Sequence, residues 1–236
     1  MIVLPRRLFV IAAHPDDDTI GCGGMMARVA DAGGALRIAY LSDGSRSHPG
    51  SRRFSPARIA KLREDEARAA LAILGIRDEP LFFRLPDGML DSIDAQERSE
   101  AVARLTREIA AFEPEVVLAP WRRDPHPDHM ASAAIVSDAL AGLERPPRLV
   151  SYEVWLPIRG SELDRPCEDE AITHAIAIDA EIRARKRRAL LAHVTQTTNL
   201  IDDDPNGFRI DDALLARWIG PAESLHESRV GRADAG

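Results

Sequence analysis

Two apolar runs in this 236-residue chain end in nearly the same turn. Residues 8–13 lead into His14-Pro15-Asp16-Asp17, and residues 116–119 lead, a few positions later, into His126-Pro127-Asp128-His129. A proline at the first helical position loses no hydrogen bond, and its φ is already near the helical value. Each tetrad therefore predicts a turn from strand to helix. Residues three apart share one side of a first helical turn. The chain thus presents His14 with Asp17, and His126 with His129, from the ends of two strands.

Around these turns, short apolar stretches alternate with helical periodicity. Strands are expected at 8–13, 36–41, 81–85, 115–119, 149–155 and 171–178. Helices are expected from the first tetrad to about 32, at 56–74, at 96–112, from the second tetrad to about 140, and at 180–192. In the second helix Ile59, Leu62, Ala69, Ile73 and Leu74 fall near one face, and Gly75 ends it. Residues 45–55, rich in Ser, Arg, Gly and Pro, read as a surface loop. Such alternation predicts an α/β fold, an open and mostly parallel sheet with helices on both faces. In the common strand order 3-2-1-4-5, strands one and four are neighbours where the winding reverses, and ligands bind outside their C-terminal ends. The two tetrads would then share one crevice. Residues 1–222 are expected to form a single domain. Residues 223–236 are polar and are expected to be a flexible tail.

Composition excludes several classes. Hydrophobic residues make up 45% and charged residues 29%, as in ordinary globular proteins. A net charge of -7, with acids interleaved among the arginines, argues against a nucleic-acid partner. The two cysteines, Cys22 and Cys167, are too few for a disulfide framework, so a reducing, cytoplasmic compartment is expected. The first charges follow only a very short apolar run, the reverse of a secretory signal. No stretch approaches the roughly 18 apolar residues of a membrane span. An oligomer is neither required nor excluded.

A single His-Pro-Asp turn is ordinarily structural, its aspartate capping the helix. Two such turns at strands flanking a switch point suggest a shared site. His14, Asp17 and His129 supply two histidines and one carboxylate, the donor set of a catalytic zinc site with an open position. Asp16 could accept a proton from water activated there. His126, if protonated, could stabilise negative charge on a carbonyl oxygen. This set supports metal-assisted hydrolysis of an amide or ester. The rival of a dinucleotide site fails, because Gly21, Gly23 and Gly24 are followed by Met26 where a glycine is needed.

The string Ala13-His14-Pro15-Asp16-Asp17-Asp18, followed by Gly21-Cys22-Gly23-Gly24, resembles the signature of the PIG-L (LmbE-like) zinc-dependent N-deacetylases. The second tetrad resembles that family's later motif. Leu41-Ser42-Asp43-Gly44, the stretch from Arg63 to Glu66 with Leu74-Gly75, and Leu85-Pro86-Asp87-Gly88 fit its habits as well. The resemblance spans roughly residues 7–200. It implies a Rossmann-like fold and removal of an N-acetyl group from an amino-sugar-containing small molecule or glycoconjugate, usually an N-acetylglucosamine unit. It implies Zn2+ on His14, Asp17 and His129, Asp16 as general base and then acid, and His126 at the oxyanion. Arg63 and Asp87 become candidates for substrate contact. Two positions depart from the common pattern. Asp18 stands where glutamate is frequent, altering a contact behind the site. Asp124 stands where some sugar deacetylases carry tyrosine; it could orient or charge His126, and together with neighbouring Asp128 it would favour the charged imidazole. The alternatives are hydrolysis of another bond, such as a phosphoester, or a non-catalytic binding module on the same fold. One metal per chain suits deacetylation, whereas two would point to phosphate chemistry.

Overall fold

In the first strand, β1 (Arg7–Ala12), alternate side chains enter two different cores. Leu8, Val10 and Ala12 pack with Met25 and Met26 of α1 (Asp17–Asp31), Leu71 and Leu74 of α2 (Pro56–Leu74), and Leu190 of α6 (Ala180–Leu191). Phe9, Ile11 and Ala13 pack with Leu105 and Ile109 of α3 (Ala95–Phe112) and Val136 of α4 (Pro127–Ala141). A strand covered on both faces must be apolar throughout, which is why residues 8–13 form a continuous hydrophobic run. The computed structural model describes residues 3–229.

The remaining strands are β2 (Ala35–Ser42), β3 (Leu81–Leu85), β4 (Val116–Pro120), β5 (Arg148–Tyr152), β6 (Ala171–Ala177) and β7 (Ala222–Ser228). Together with β1 they form one sheet in the order β3-β2-β1-β4-β5-β7-β6. The first five are parallel, as expected, and β7 runs antiparallel to both β5 and β6. The expected order 3-2-1-4-5 holds and is extended by two strands. Three short helices, α5 (Leu156–Arg159), α7 (Val194–Thr197) and α8 (Asp212–Trp218), complete the chain. Among the described residues no helix is long and apolar enough to cross a membrane.

The expectation of a tail from 223 onward is wrong up to residue 229. Residues 222–228 are β7, wedged inside the sheet, with Glu223, Leu225 and His226 buried. Residues 230–236 lie outside the described region. The strand was missed because its buried positions include polar groups that only tertiary partners satisfy. His226 reaches Glu153 through Nε2 at 2.7 Å and Thr173 through Nδ1 at 3.0 Å. Glu223 accepts from Lys186 Nζ at 2.7 Å and from the amides of Gly24 at 2.7 Å and Met25 at 2.8 Å.

Those two amides are available because α1 is broken at Cys22, whose φ and ψ of -144° and 19° leave the helical region. Glu223 therefore caps the second half of the helix whose first half carries Asp17 and Asp18. Lys186 and Glu223 are each under 5% exposed, and removing one partner of a buried pair strands the other charge. Lys186→Met is expected to lower unfolding stability by about 3–5 kcal/mol. The check is a lower urea midpoint with an unchanged dependence on urea concentration.

Candidate active site

Because β1 pairs directly with β4, the turns that follow them open on the same edge of the sheet. His14 and His126 approach to 4.9 Å between ring centroids, His126 and His129 to 4.8 Å, and His14 and His129 to 5.4 Å. Asp17 Oδ2 lies between two of them, 3.2 Å from His14 Nδ1 and 3.2 Å from His129 Nε2. It also accepts the His14 amide at 2.8 Å. The structure thus brings together all five residues of the two tetrads that the sequence singled out.

The outward nitrogen of each metal-candidate histidine is held by a carboxylate. His14 Nε2 faces Asp128 Oδ2 at 3.0 Å and Asp87 Oδ1 at 3.2 Å, and His129 Nδ1 faces Asp124 Oδ1 at 2.8 Å. Such partners fix the ring, choose its tautomer and raise its basicity toward a metal. Asp124 is anchored in turn by the amides of Val154, Trp155 and Leu156 at 2.8, 2.9 and 3.0 Å. Asp128 is anchored by the amides of Gly88 at 2.7 Å and Leu90 at 3.0 Å.

The donor set fits a divalent metal ion. His129 Nε2 is wholly buried and, although close to Asp17, is out of line for a hydrogen bond, so it has no hydrogen-bond partner. A shared cation satisfies both groups. The carboxylates around the cluster favour positive charge there. Burial opposes charge on His129, yet Asp17 and Asp124 hold its pKa up at about 9. Burial likewise opposes charge on Asp17, but His129 and His14 hold its carboxyl well below the usual carboxylate range.

Asp16 is different. Burial pushes its pKa up to about 6, against the pull of Arg63. Arg63 Nη2 lies 3.1 Å from Asp16 Oδ1, and the guanidinium also donates to the carbonyls of Gly44 and Pro15 at 3.1 Å each. Gly44 allows this, since a Cβ there would come within 2.7 Å of Arg63 Nη1 and its φ is +65°.

Three expectations change. His126 was expected to be charged by Asp124 and Asp128, but those carboxylates are committed to His129 and His14. Burial and the two neighbouring histidines push the His126 pKa down to about 4. Its Nδ1 accepts the Asp128 amide at 3.2 Å at the start of α4, which leaves the proton on Nε2. Asp124 orients His129, not His126. Asp18 does not stand behind the metal ligands. It accepts from Tyr40 Oη at 3.1 Å, and burial raises its pKa to about 7.

A cavity of about 330 Å³ opens above the cluster, lined at its floor by His14, Asp16, Asp17, Arg63, Asp87 and His126. Arg63 and Asp87 both reach it, although Arg63 is tied to Asp16 and Asp87 to His14 and the Arg46 amide (2.7 Å). Sequence reasoning missed the rest of the lining, which includes Arg46, Ser47, Trp155, Arg159 and Phe208. It also assigned Asp128 to His126, whereas the fold sets it against His14 Nε2.

Comparison with known proteins then decides the family. The model of the family described as PIG-L, GlcNAc-PI de-N-acetylase, matches residues 9–140, more than half of the chain. The chain belongs to the PIG-L family. A 1D-myo-inositol 2-acetamido-2-deoxy-alpha-D-glucopyranoside deacetylase of Mycobacteroides abscessus is 28% identical, over 92% of this chain and 90% of that one. The enzyme of the same name from Kineococcus radiotolerans is 30% identical over 153 residues, which span 53% of this chain and only 42% of that relative. Among solved structures, an N,N'-diacetylchitobiose deacetylase from Pyrococcus horikoshii shares the fold, with a TM-score of 0.64 at 18% identity, over 91% of this chain and 74% of that one.

Two substitutions test the metal assignment. His129→Ala is expected to reduce metal retained after dialysis from about one equivalent per chain to near none. Asp124→Asn keeps the ring but removes the carboxylate behind it, and is expected to weaken metal affinity about 10–100-fold. Elemental analysis and chelator competition provide the measurements.

Proposed function

We propose that this chain is a zinc-dependent N-deacetylase that hydrolyses the acetamide of an amino-sugar-containing small molecule. The observation that carries this reading is the division of labour among adjacent acids. Asp17 is shared by two histidines, whereas among the described residues Asp16 is held only by Arg63 and lines the cavity. His14, Asp17 and His129 would hold the ion, which when bound supplies Lewis-acid polarisation of the acyl carbonyl and acidifies water. The names of the relatives support the amino-sugar class. A cavity of about 330 Å³ sits at the low end of the roughly 300–1,000 Å³ typical of small-molecule sites. A site of that size suits one sugar unit with a short substituent.

Each remaining group then has a task. Asp16 accepts a proton as the oxygen of water bonds to the acyl carbon. It delivers that proton to the departing nitrogen as the C–N bond breaks, giving the free amine and acetate. Arg63 fixes one Asp16 oxygen and leaves the other free for the proton. His126 presents its Nε2–H to the oxygen of the tetrahedral adduct. A neutral imidazole at a helix N-terminus suits that task, because the helix end disfavours the imidazolium and the N–H remains a donor.

Asp16→Asn is expected to retain its metal yet lose about 10²–10⁴-fold in turnover, because an amide cannot take the proton. Acetate release from N-acetylglucosaminides, measured beside metal content, checks it, and near-normal turnover would remove Asp16 from the mechanism. His126→Ala is expected to cost roughly 10²–10³-fold, the scale of one oxyanion donor, with metal still bound. Loss of the metal in that variant would instead make His126 a ligand.

A further inference from the structure

The floor of the cavity is accounted for by the proposed reaction, but its mouth is not. Two arginines line it, Arg46 from the loop after β2 and Arg159 from the end of α5, and both are exposed. Among the described residues neither has a carboxylate within salt-bridge distance, although many other arginines of this chain are paired. Arg68 meets Glu79, Arg84 meets Glu64, Arg123 meets Glu170 and Arg185 meets Asp31. What sets them apart from the chain's other arginines without an acid is that both line one cavity. The acids of the same cavity do not compensate them, since Asp16 is bound to Arg63, Asp17 to the histidines, and Asp87 to His14 and a backbone amide.

Both arginines are mounted on fixed supports. The Arg159 guanidinium lies over the Trp155 ring, 4.0 Å from its centroid. Trp155 is 8% exposed and is packed edge-on by Phe208 at 5.7 Å and Trp218 at 5.3 Å. Stacking occupies a face of the guanidinium and leaves its N–H edge free for a planar or tetrahedral anion. The Arg46 amide is pinned to Asp87 Oδ2 at 2.7 Å. The loop behind it is clasped to residues 203–208. The Phe208 amide donates to the Ser47 carbonyl at 2.7 Å, the Gly50 amide to Asp204 at 2.7 Å and Ser51 Oγ to Asp203 at 2.8 Å. The Arg46 loop and Phe208 are thus held side by side, and Phe208 in turn packs on the Trp155 ring that carries Arg159.

We propose that Arg46 and Arg159 form an anion subsite that selects amino-sugar substrates whose linked group carries a carboxylate or a phosphate. The inference rests on the reading of the floor as a deacetylase site, and it specifies the substrate class. Trp155 and Phe208 supply the apolar wall beside that group, and the two guanidinium edges supply its charge complement.

The metal-loaded protein is tested on three 2-acetamido-2-deoxy-α-D-glucosides that differ only at the anomeric substituent. One is the neutral methyl glucoside, one the carboxymethyl glucoside and one the 1-phosphate. The expected result is a kcat/KM about 10–100-fold higher for at least one anionic substrate than for the methyl glucoside, as for a charge-assisted pair. The preferred anion identifies carboxylate or phosphate as the source. In Arg46→Gln and Arg159→Gln the anionic-to-neutral ratio falls toward one, chiefly through KM, while Arg→Lys at each position restores part of it. A wild-type ratio of one or below, or a ratio unchanged in both Gln variants, overturns the subsite and leaves the deacetylase reading standing. If none of the three is hydrolysed, the deacetylase reading falls. Calorimetric binding of glucosamine 1-phosphate and carboxymethyl glucosaminide then decides the subsite separately. Binding of at least one that is lost in the double Gln variant supports it, and binding unaffected by the substitutions or absent from the wild type overturns it.

Discussion

Leu8 pairs with Val116, Phe9 with Val117 and Val10 with Leu118, and because the strands run parallel, their C-terminal ends open side by side. Residues more than a hundred positions apart are thereby brought into one cluster. Without that pairing, Asp17 could not lie 3.2 Å from both His14 and His129. The pairing is secured from both faces, since the side chains from Leu8 to Ala12 are each committed to one of two separate cores. A shift of β4 by one residue would exchange those faces, so the register that places the histidines is the register that buries the strands.

The same turn carries three consecutive aspartates in three different surroundings. Asp16 meets an arginine, Asp17 two histidines and Asp18 a tyrosine hydroxyl. Their carboxyls consequently sit at about 6, well below the usual range, and at about 7, from one sequence of identical residues. Burying so much charge opposes folding unless each group is paired. Here the pairing partners are drawn from other elements: Arg63 from α2, His129 from α4 and Tyr40 from β2. The site and the fold are for this reason mutually dependent, and the cost of the charge cluster is offset by the apolar cores beneath it.

The floor of the cavity and its mouth are built differently. Strand ends and helix starts place the floor, where small displacements would separate a proton acceptor from its target. The mouth is made by the loop around Arg46, by α5 and by the segment that leads to Phe208. Such loops can change without disturbing the sheet, which lets one chemical centre serve different substituents. The clasp between the Arg46 loop and residues 203–208 gives this chain's mouth a defined shape.

The sequence by itself determined the alternation of strands and helices, the two strand-to-helix turns and the identity of the residues at the floor. These are local properties: apolar runs have a period, proline marks a first helical turn, and a three-residue spacing sets a face. The resemblance of the first tetrad and its glycines to a known signature supplied the chemistry. Tertiary structure decided what depends on partners distant in the chain. Residues 222–228 looked like a tail because Glu223 and His226 are polar, and only Lys186, Glu153 and Thr173 make them buried strand residues. Asp124 and Asp128 looked like neighbours that would charge His126, yet folding turns them to His129 and His14 and leaves His126 neutral. Arg46 and Arg159, unremarkable in a chain rich in arginine, gain their meaning from lining one cavity whose acids are bonded to other groups. A periodic pattern reports which face of an element is buried, whereas the charge state of a side chain is set by whatever the fold places against it.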